Sequence, residues 1–263
     1  MNILEKIVEK TKIRVDMLKN NTDFNALKQS AESMTKGNFP FEKALKKENI
    51  AFICEVKKAS PSKGIIAEKF PYVEIAKEYE TAGADAISVL IEPDFFQGGI
   101  TYLEKIASSV NIPALRKDFI IDEIQIYESK VKGASAILLI CSVLDGKRIE
   151  NFIKIADSLG LSCLVEAHNE DEIIKALKSQ ARIIGVNNRD LKTFDVNIEN
   201  SIKLRKSVPE DILFVSESGI KNYEHIKRLR ENKVNAVLIG ETLMKSNNKH
   251  LELNKLKGIN LWK

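Results

Sequence analysis

The sequence predicts a single (β/α)₈ barrel with extra N-terminal helices, and three observations lead there. From Ile50 onward, short β-branched runs alternate with segments of helical periodicity, which is the pattern of parallel strands joined by crossover helices. Several runs are apolar at consecutive positions, as strands covered on both faces are. There are eight such units within 263 residues, the size of one closed barrel, and closure removes the edges that an open sheet would have to protect.

The eight strand candidates are IAFICEV (50–56), DAISVLI (85–91), IPALRK (112–117), SAILLIC (135–141), LSCLVEA (161–167), RIIGVNN (182–188), ILFVSES (212–218) and NAVLIG (235–240). Residues 1–48 precede them and carry Ile3, Leu4, Ile7, Val8, Phe24, Leu27 and Ala31 at helical spacing, so they read as helices packed on the barrel. No low-complexity tract or Pro/Gly-rich linker separates the two parts, and residues 1–263 are taken as one domain. The tail LELNKLKGINLWK reads as a last helix, with Trp262 available for packing or contact.

Composition narrows the classes of function. Forty-one Lys and Arg stand against thirty-seven Asp and Glu, a formal charge of +4, and the basic residues are scattered. That distribution describes solvated helix faces and argues against a nucleic-acid partner. A small positive excess still suits an anionic metabolite. Cys54, Cys141 and Cys163 lie inside apolar runs without metal-ligand or pairing spacing, so they read as buried reduced thiols. The N-terminus is interrupted by charge throughout and lacks the apolar core of a signal peptide. The longest apolar stretch, 134–144, falls well short of the ~18 residues of a membrane span. The expectation is a cytoplasmic protein with no membrane association.

In a barrel of this kind the chemistry sits where strands end and βα loops begin. Glu55 and Lys57 close the first strand two residues apart, so alternation gives both the same face. Lys117 ends the third strand and Glu166 the fifth, Asn187 and Arg189 end the sixth, and Glu217 and Ser218 end the seventh. Any one of these is an ordinary solvated loop residue when taken alone. Five of eight strands ending in a carboxylate, lysine or amide is more than loop composition supplies. Gly219 and Gly240 follow the seventh and eighth strands, the loops that often bind phosphate through bare amides, although both also suit tight turns.

Other patterns point away from alternative chemistries. Gly98 and Gly99 lack a dinucleotide fingerprint and read as a flexible loop element. His168, His225 and His250 share no metal-site spacing and read as isolated surface or loop histidines, so no metal is expected. Ser60-Pro61-Ser62 has neither a histidine partner nor a nucleophile elbow around it. Phe95 and Phe96 fit either the core or an apolar wall for an aromatic ligand.

Seven segments carry a resemblance: CEVKKASPSKG (54–64), LIEPDFFQGG (90–99), LRKDFIID (115–122), LVEAH (164–168), GVNNRDL (185–191), VSESGI (215–220) and LIGETLM (238–244). In order and spacing they resemble the indole-3-glycerol phosphate synthase family, across about three quarters of the chain. The N-terminal helical extension is also similar to the family. Ile91 stands where the family more often shows a small hydroxyl residue.

The resemblance implies a phosphorylated small-molecule substrate, 1-(2-carboxyphenylamino)-1-deoxyribulose 5-phosphate, and no cofactor. It implies that Lys57 holds the anthranilate carboxylate, Lys117 is the general acid on the carbonyl oxygen and Glu166 moves protons during dehydration. Glu55 and Asn187 orient these groups. Arg189, Glu217 and Ser218 serve the polyol and phosphate end, and Gly219, Gly240 and Glu241 bind phosphate through backbone amides. Ser60 and Phe96 complete the substrate-binding set.

Two other readings compete. A phosphoribosylanthranilate isomerase-like barrel would share the phosphate end, but its acid/base pair is a cysteine and an aspartate at the first and sixth strand ends. Those ends here offer Glu55/Lys57 and Asn187/Arg189. A non-catalytic barrel binding a phosphorylated metabolite would have little reason to keep Lys117 and Glu166.

Overall fold

The computed structural model describes residues 2–190 and 195–259; Leu191, at the end of one family-like segment, and Trp262 lie outside the described residues. Eight parallel strands close into a barrel in the order β1-β10-β9-β8-β7-β6-β5-β4. They are β1 (Ala51–Val56), β4 (Ala86–Leu90), β5 (Ala114–Lys117), β6 (Ala136–Ile140), β7 (Ser162–Ala167), β8 (Ile183–Asn187), β9 (Leu213–Glu217) and β10 (Ala236–Ile239). Each falls within one of the eight expected runs. The first βα loop adds a small antiparallel pair, β2 (Ala59–Ser60) and β3 (Gly64–Ile65), which pairs Ser60 with Gly64. Its sequence offered only two residues a side, too short to show an alternating pattern.

Strand alternation sorts the side chains into two cores. Ala51 and Ile53 of β1, Leu115 of β5, Leu164 of β7, Ile183 of β8, Val215 of β9 and Leu238 of β10 fill the lumen. Phe52, Cys54 and Val56, one residue out of phase, join the layer between strands and helices. The lumen set continues by twos to Glu55, Lys117, Glu166, Asn187 and Glu217, so the pleat that fills the barrel also aims these polar groups at its mouth. Ile91 lies on the other phase, buried in the outer apolar layer. A hydroxyl at that position would face the helices and not the mouth.

Asn or Asp side chains start four of the barrel helices. Asp122, Asp145, Asn169 and Asn222 accept backbone amides of Glu123–Val131, Gly146–Leu159, Glu170–Lys178 and Tyr223–Glu231. Each cap fixes the direction in which its βα loop leaves the mouth. Gly98 departs from the expectation of a flexible element. A Cβ there would lie 2.4 Å from the Leu90 carbonyl oxygen, and the Gly98 amide donates to the Glu92 carbonyl, so this glycine permits a close backbone crossing.

The extension forms three helices, α1 (Ile3–Asn21), α2 (Phe24–Ser33) and α3 (Pro40–Leu45). Helix α2 packs on the Glu123–Val131 helix, with Phe24 edge-on to Tyr127. Helix α3 inserts Phe41 and Leu45 into the lumen cluster and closes the end of the barrel opposite the mouth. Arg182, at the start of β8, holds it by donating to Glu42. Helix α1 lies over the other end, where Arg14 pairs with Glu92 at 2.6 Å and Asp94 at 3.1 Å. Phe41→Ala should therefore cost about 3–5 kcal/mol of stability, the usual range for truncating a fully buried aromatic. Urea unfolding would check this, with α3 shown dispensable to the barrel floor if the midpoint does not move.

Candidate active site

A cavity of about 650 Å³ opens at the C-terminal ends of the strands. All thirteen expected site residues line it: Glu55, Lys57, Ser60, Phe96, Lys117, Glu166, Asn187, Arg189, Glu217, Ser218, Gly219, Gly240 and Glu241. Its floor is the top of the lumen, Leu138, Ile140 and Leu238. Phe96 and Phe119, with ring centroids 6.4 Å apart, stand on one side together with Leu90. Phe96 thus faces the cavity, whereas Phe95 is not among its walls. Ile3, Leu4 and Ile7 of α1 add apolar cover that periodicity had assigned only to packing.

Lys117 is the centre of the polar set. Its ammonium lies 2.8 Å from Glu166 and 3.1 Å from Glu217, with all three side chains at most 14% exposed. Burial alone would lower its pKa, but the carboxylates of Glu166, Glu217 and Glu55 outweigh that and raise it. Lys117 therefore stays charged until it has somewhere to deliver its proton. Lys57 pairs with Glu55 alongside.

Glu166 and Glu217 are both buried, yet they titrate in opposite directions. Burial raises Glu166, but Lys117, then His168 and the Asn187 amide, overcome it and take it down to about 2. Burial pushes Glu217 up to about 7, against Lys117 and with the help of Glu166. Asn187 is oriented by the Arg189 amide, which donates to its Oδ1 at 3.0 Å and leaves Nδ2 facing Glu166 at 3.5 Å.

The end of the cavity at Ser218, Gly219 and Gly240 is built by backbone. Ser218 and Gly219 both have positive φ, at 68° and 81°, and a Cβ on Gly219 would come within 2.2 Å of Val196. Buried Asn188 fixes this turn by donating to the Ser218 carbonyl and the Ser216 hydroxyl while accepting from Ser201. Gly240 leads into the Glu241–Lys245 helix, whose first amides lack helical acceptors. Lys63, Lys221 and Lys245 line the same end. The Glu241 carboxylate reaches Lys245 at 2.6 Å and Arg189 at 3.8 Å, an acidic neighbour within a cationic end.

Two glycines make room for the carboxylates. A Cβ on Gly185 would lie 2.2 Å from Glu217 Oε1, and one on Gly240 would lie 2.3 Å from Glu55 Oε1. Gly240 therefore does more than free a turn. Gly185 was missed, although a glycine inside an apolar strand marks a close approach. Asn188 was missed too, because a buried polar support does not differ in sequence from a loop amide.

The expectation for His168 is corrected. It is no isolated surface histidine but is largely buried behind Glu166, with Nδ1 3.2 Å from Glu172. His225 lies beside the Gly219 carbonyl at 3.2 Å, and His250 is exposed. The three cysteines are free and buried, and burial lifts their thiols, Cys141 up to about 12.

A sequence model of the family described as indole-3-glycerol phosphate synthase matches residues 4–256. The chain belongs to that family. It is 56% identical to the indole-3-glycerol phosphate synthase of Ruminiclostridium cellulolyticum over 257 residues, 97% of this chain and 99% of that one. It is 60% identical to the synthase of Endomicrobium trichonymphae over 256 residues, again 97% and 99%. The solved structure of 3-hexulose-6-phosphate synthase from Salmonella typhimurium superposes with a TM-score of 0.65 at 13% identity, covering 81% of this chain and 99% of that one. That likeness shows the barrel alone.

Two predictions come from the site. Gly185→Ala should leave a folded barrel but displace Glu217, with kcat/KM falling by about 10²-fold or more, the scale of a misplacement near 1 Å; unchanged kinetics would show that the strand absorbs the methyl. The second concerns pH. The folded value of Glu217 is raised, so its contribution to stability is full below the ordinary 4.5 and is lost as pH rises through about 7. Glu166 behaves inversely, its contribution being lost as pH falls from 4.5 towards 2. Glu217→Gln should consequently gain stability over the unsubstituted protein between about pH 5 and pH 8, read as a difference in denaturant midpoint.

Proposed function

We infer that the family's reaction runs at this mouth through Lys57, Lys117 and Glu166. The chain is a carboxy-lyase of tryptophan biosynthesis, an indole-3-glycerol phosphate synthase in family. It closes the ring of 1-(2-carboxyphenylamino)-1-deoxyribulose 5-phosphate and releases carbon dioxide and water. The observation that carries the residue assignment is the buried Lys117 ammonium held between Glu166 and Glu217.

The substrate has a carboxylate at its aromatic end and a phosphate at the other. The family resemblance gives Lys57, which is paired with Glu55, the carboxylate, and Phe96 and Phe119 supply an apolar wall in the same cavity. Arg189, Lys221 and the amides around Gly219 and Gly240 take the phosphate, and the Glu241 carboxylate gives up Arg189 as the anion arrives. Anchoring both ends folds the chain between them, so ring and ketone meet without a further entropic cost.

The ring carbon bearing the carboxylate then attacks the ketone carbon. As that carbon–carbon bond forms, the carbonyl electron pair moves to oxygen and takes the Lys117 proton. Loss of carbon dioxide returns its bonding electrons to the ring. Glu166, already ionised, removes the proton that allows the hydroxyl to leave as water, and the Lys57 ammonium protonates the departing oxygen, since Lys117 has given up its proton in the first step. Ser60, Glu55 and Asn187 hold the substrate hydroxyls and the acids in place. A cytoplasmic setting fits three free buried thiols, and no helix among the described residues is long and apolar enough to cross a membrane.

The deciding experiment incubates purified protein with the carboxyphenylamino-deoxyribulose phosphate in chelator and follows indole fluorescence together with carbon dioxide. Both products should appear in equal amounts. Lys117→Ala should lose about 10²–10⁴ in kcat, the range of a positioned general acid, and near-normal turnover in that folded variant would remove Lys117 from the role.

A further inference from the structure

We propose that His168 is a positioning residue for Glu166, a protonated bridge between the catalytic carboxylate and Glu172. This rests on the reading of Glu166 as the proton-transfer base. His168 follows Glu166 by two residues at the end of β7, so alternation turns its ring to the same side. Its Nε2 lies 3.6 Å from Glu166 Oε1, and its Nδ1 lies 3.2 Å from Glu172 Oε2. Nε2 is sealed from solvent and has no hydrogen-bond partner among the described residues, and Glu166 is the carboxylate it faces.

Glu172 is itself fixed. It lies in the first turn of the Glu170–Lys178 helix, its amide is capped by Asn169, and its carboxylate also accepts the His168 backbone amide at 2.8 Å. Asn200, from the Glu199–Arg205 helix, donates to the His168 carbonyl. The backbone and one ring nitrogen are thus pinned from outside while the other nitrogen points inward. A ring that donates to Glu172 through Nδ1 meets Glu166 with either a lone pair or a second N–H. Only the doubly protonated ring is a donor to both carboxylates.

The two oxygens of Glu166 are held unequally. Oε2 accepts from Lys117 at 2.8 Å, whereas Oε1 has only the Asn187 amide at 3.5 Å and His168 at 3.6 Å. Oε1 is the oxygen left to work on substrate, and His168 is the cation that steadies it. The surrounding charges favour that cation. Burial lowers the His168 pKa, but the bond to Glu172 and the charges of Glu166, Glu172 and Glu217 raise it above the usual value, with Lys117 the cation across Glu166. The bridge keeps Glu166 ionised and aimed.

The test uses His168→Gln, which keeps a donor without the charge, and His168→Ala. Each should lower kcat by about ten-fold, the effect of removing one cation beside a buried carboxylate, with KM little changed. Each should also move the acidic limb of the kcat–pH profile to higher pH, because Glu166 has lost a neighbouring cation. Glu172→Gln should move the limb in the same direction by less. Nitrogen-15 resonances of the substrate-free protein should show His168 protonated on both ring nitrogens above pH 6.5, the ordinary value, and losing that proton at lower pH in Glu166→Gln. An unmoved limb in both His168 variants, a rise in KM alone, or a His168 titration indifferent to Glu166→Gln would each overturn the bridge. Failure of the underlying reading looks different: Glu166→Gln would then keep its turnover whatever His168 does. If His168→Ala does not fold, the glutamine variant and the resonances carry the decision.

Discussion

The constraint on which the rest of this structure depends is the burial of one ammonium among carboxylates. Lys117 lies 2.8 Å from Glu166 and 3.1 Å from Glu217 above an apolar lumen. Charges in such a place are costly to desolvate, and each must meet a partner with good geometry or be neutralised. The protein meets this demand by dividing the two carboxylates. Glu166 keeps Lys117, Asn187 and His168 around it and stays ionised, while Glu217, whose Oε1 has no partner among the described residues and lies against Gly185, holds its proton to about pH 7. Environments that push two like groups apart in this way are how one site holds both an acid and a base.

That arrangement needs a barrel whose interior is filled from below and covered from above, and the N-terminal extension does both. Phe41 and Leu45 of α3 complete the lumen under Leu115 and Leu164. Ile3, Leu4 and Ile7 of α1 lie at the opposite end, where they wall the cavity. Arg14 ties α1 to Glu92, and the same carboxylate accepts the amides of Phe95 and Phe96. The apolar wall at Phe96 is therefore set by an ion pair that begins in the extension.

Much of this was legible in the sequence because period-two alternation and strand ends are local properties. The apolar runs located all eight barrel strands, and their ends carried Glu55, Lys117, Glu166 and Glu217, which continue the lumen phase of Ile53, Leu115, Leu164 and Val215. What stayed hidden depends on contacts between elements. Gly98 looked like flexible loop until the Leu90 carbonyl was seen against it, and Gly185 is an ordinary strand residue until Glu217 leans over it. His168 looked isolated because Glu172 is four residues away on a helix whose start only Asn169 announces. The roles of α1 and α3 were equally invisible, since an amphipathic stripe says which face is buried and not against what.

The structural relative sharpens what the fold does and does not determine. A barrel at 13% identity superposes well, so closure, lumen packing and a mouth ringed by loops impose little on the residues at the strand ends. What those ends carry is a separate choice, and here it is constrained by charge balance more than by shape. Exchanging Lys117 for a neutral group would take away the cation that Glu166 and Glu217 share, and enlarging Gly185 or Gly240 would displace the carboxylates from their partners. Each substitution at the mouth therefore disturbs several others. Identity near 60% with a curated synthase over 97% of the chain carries weight for function because it spans these interdependent positions together, which a shared barrel alone does not.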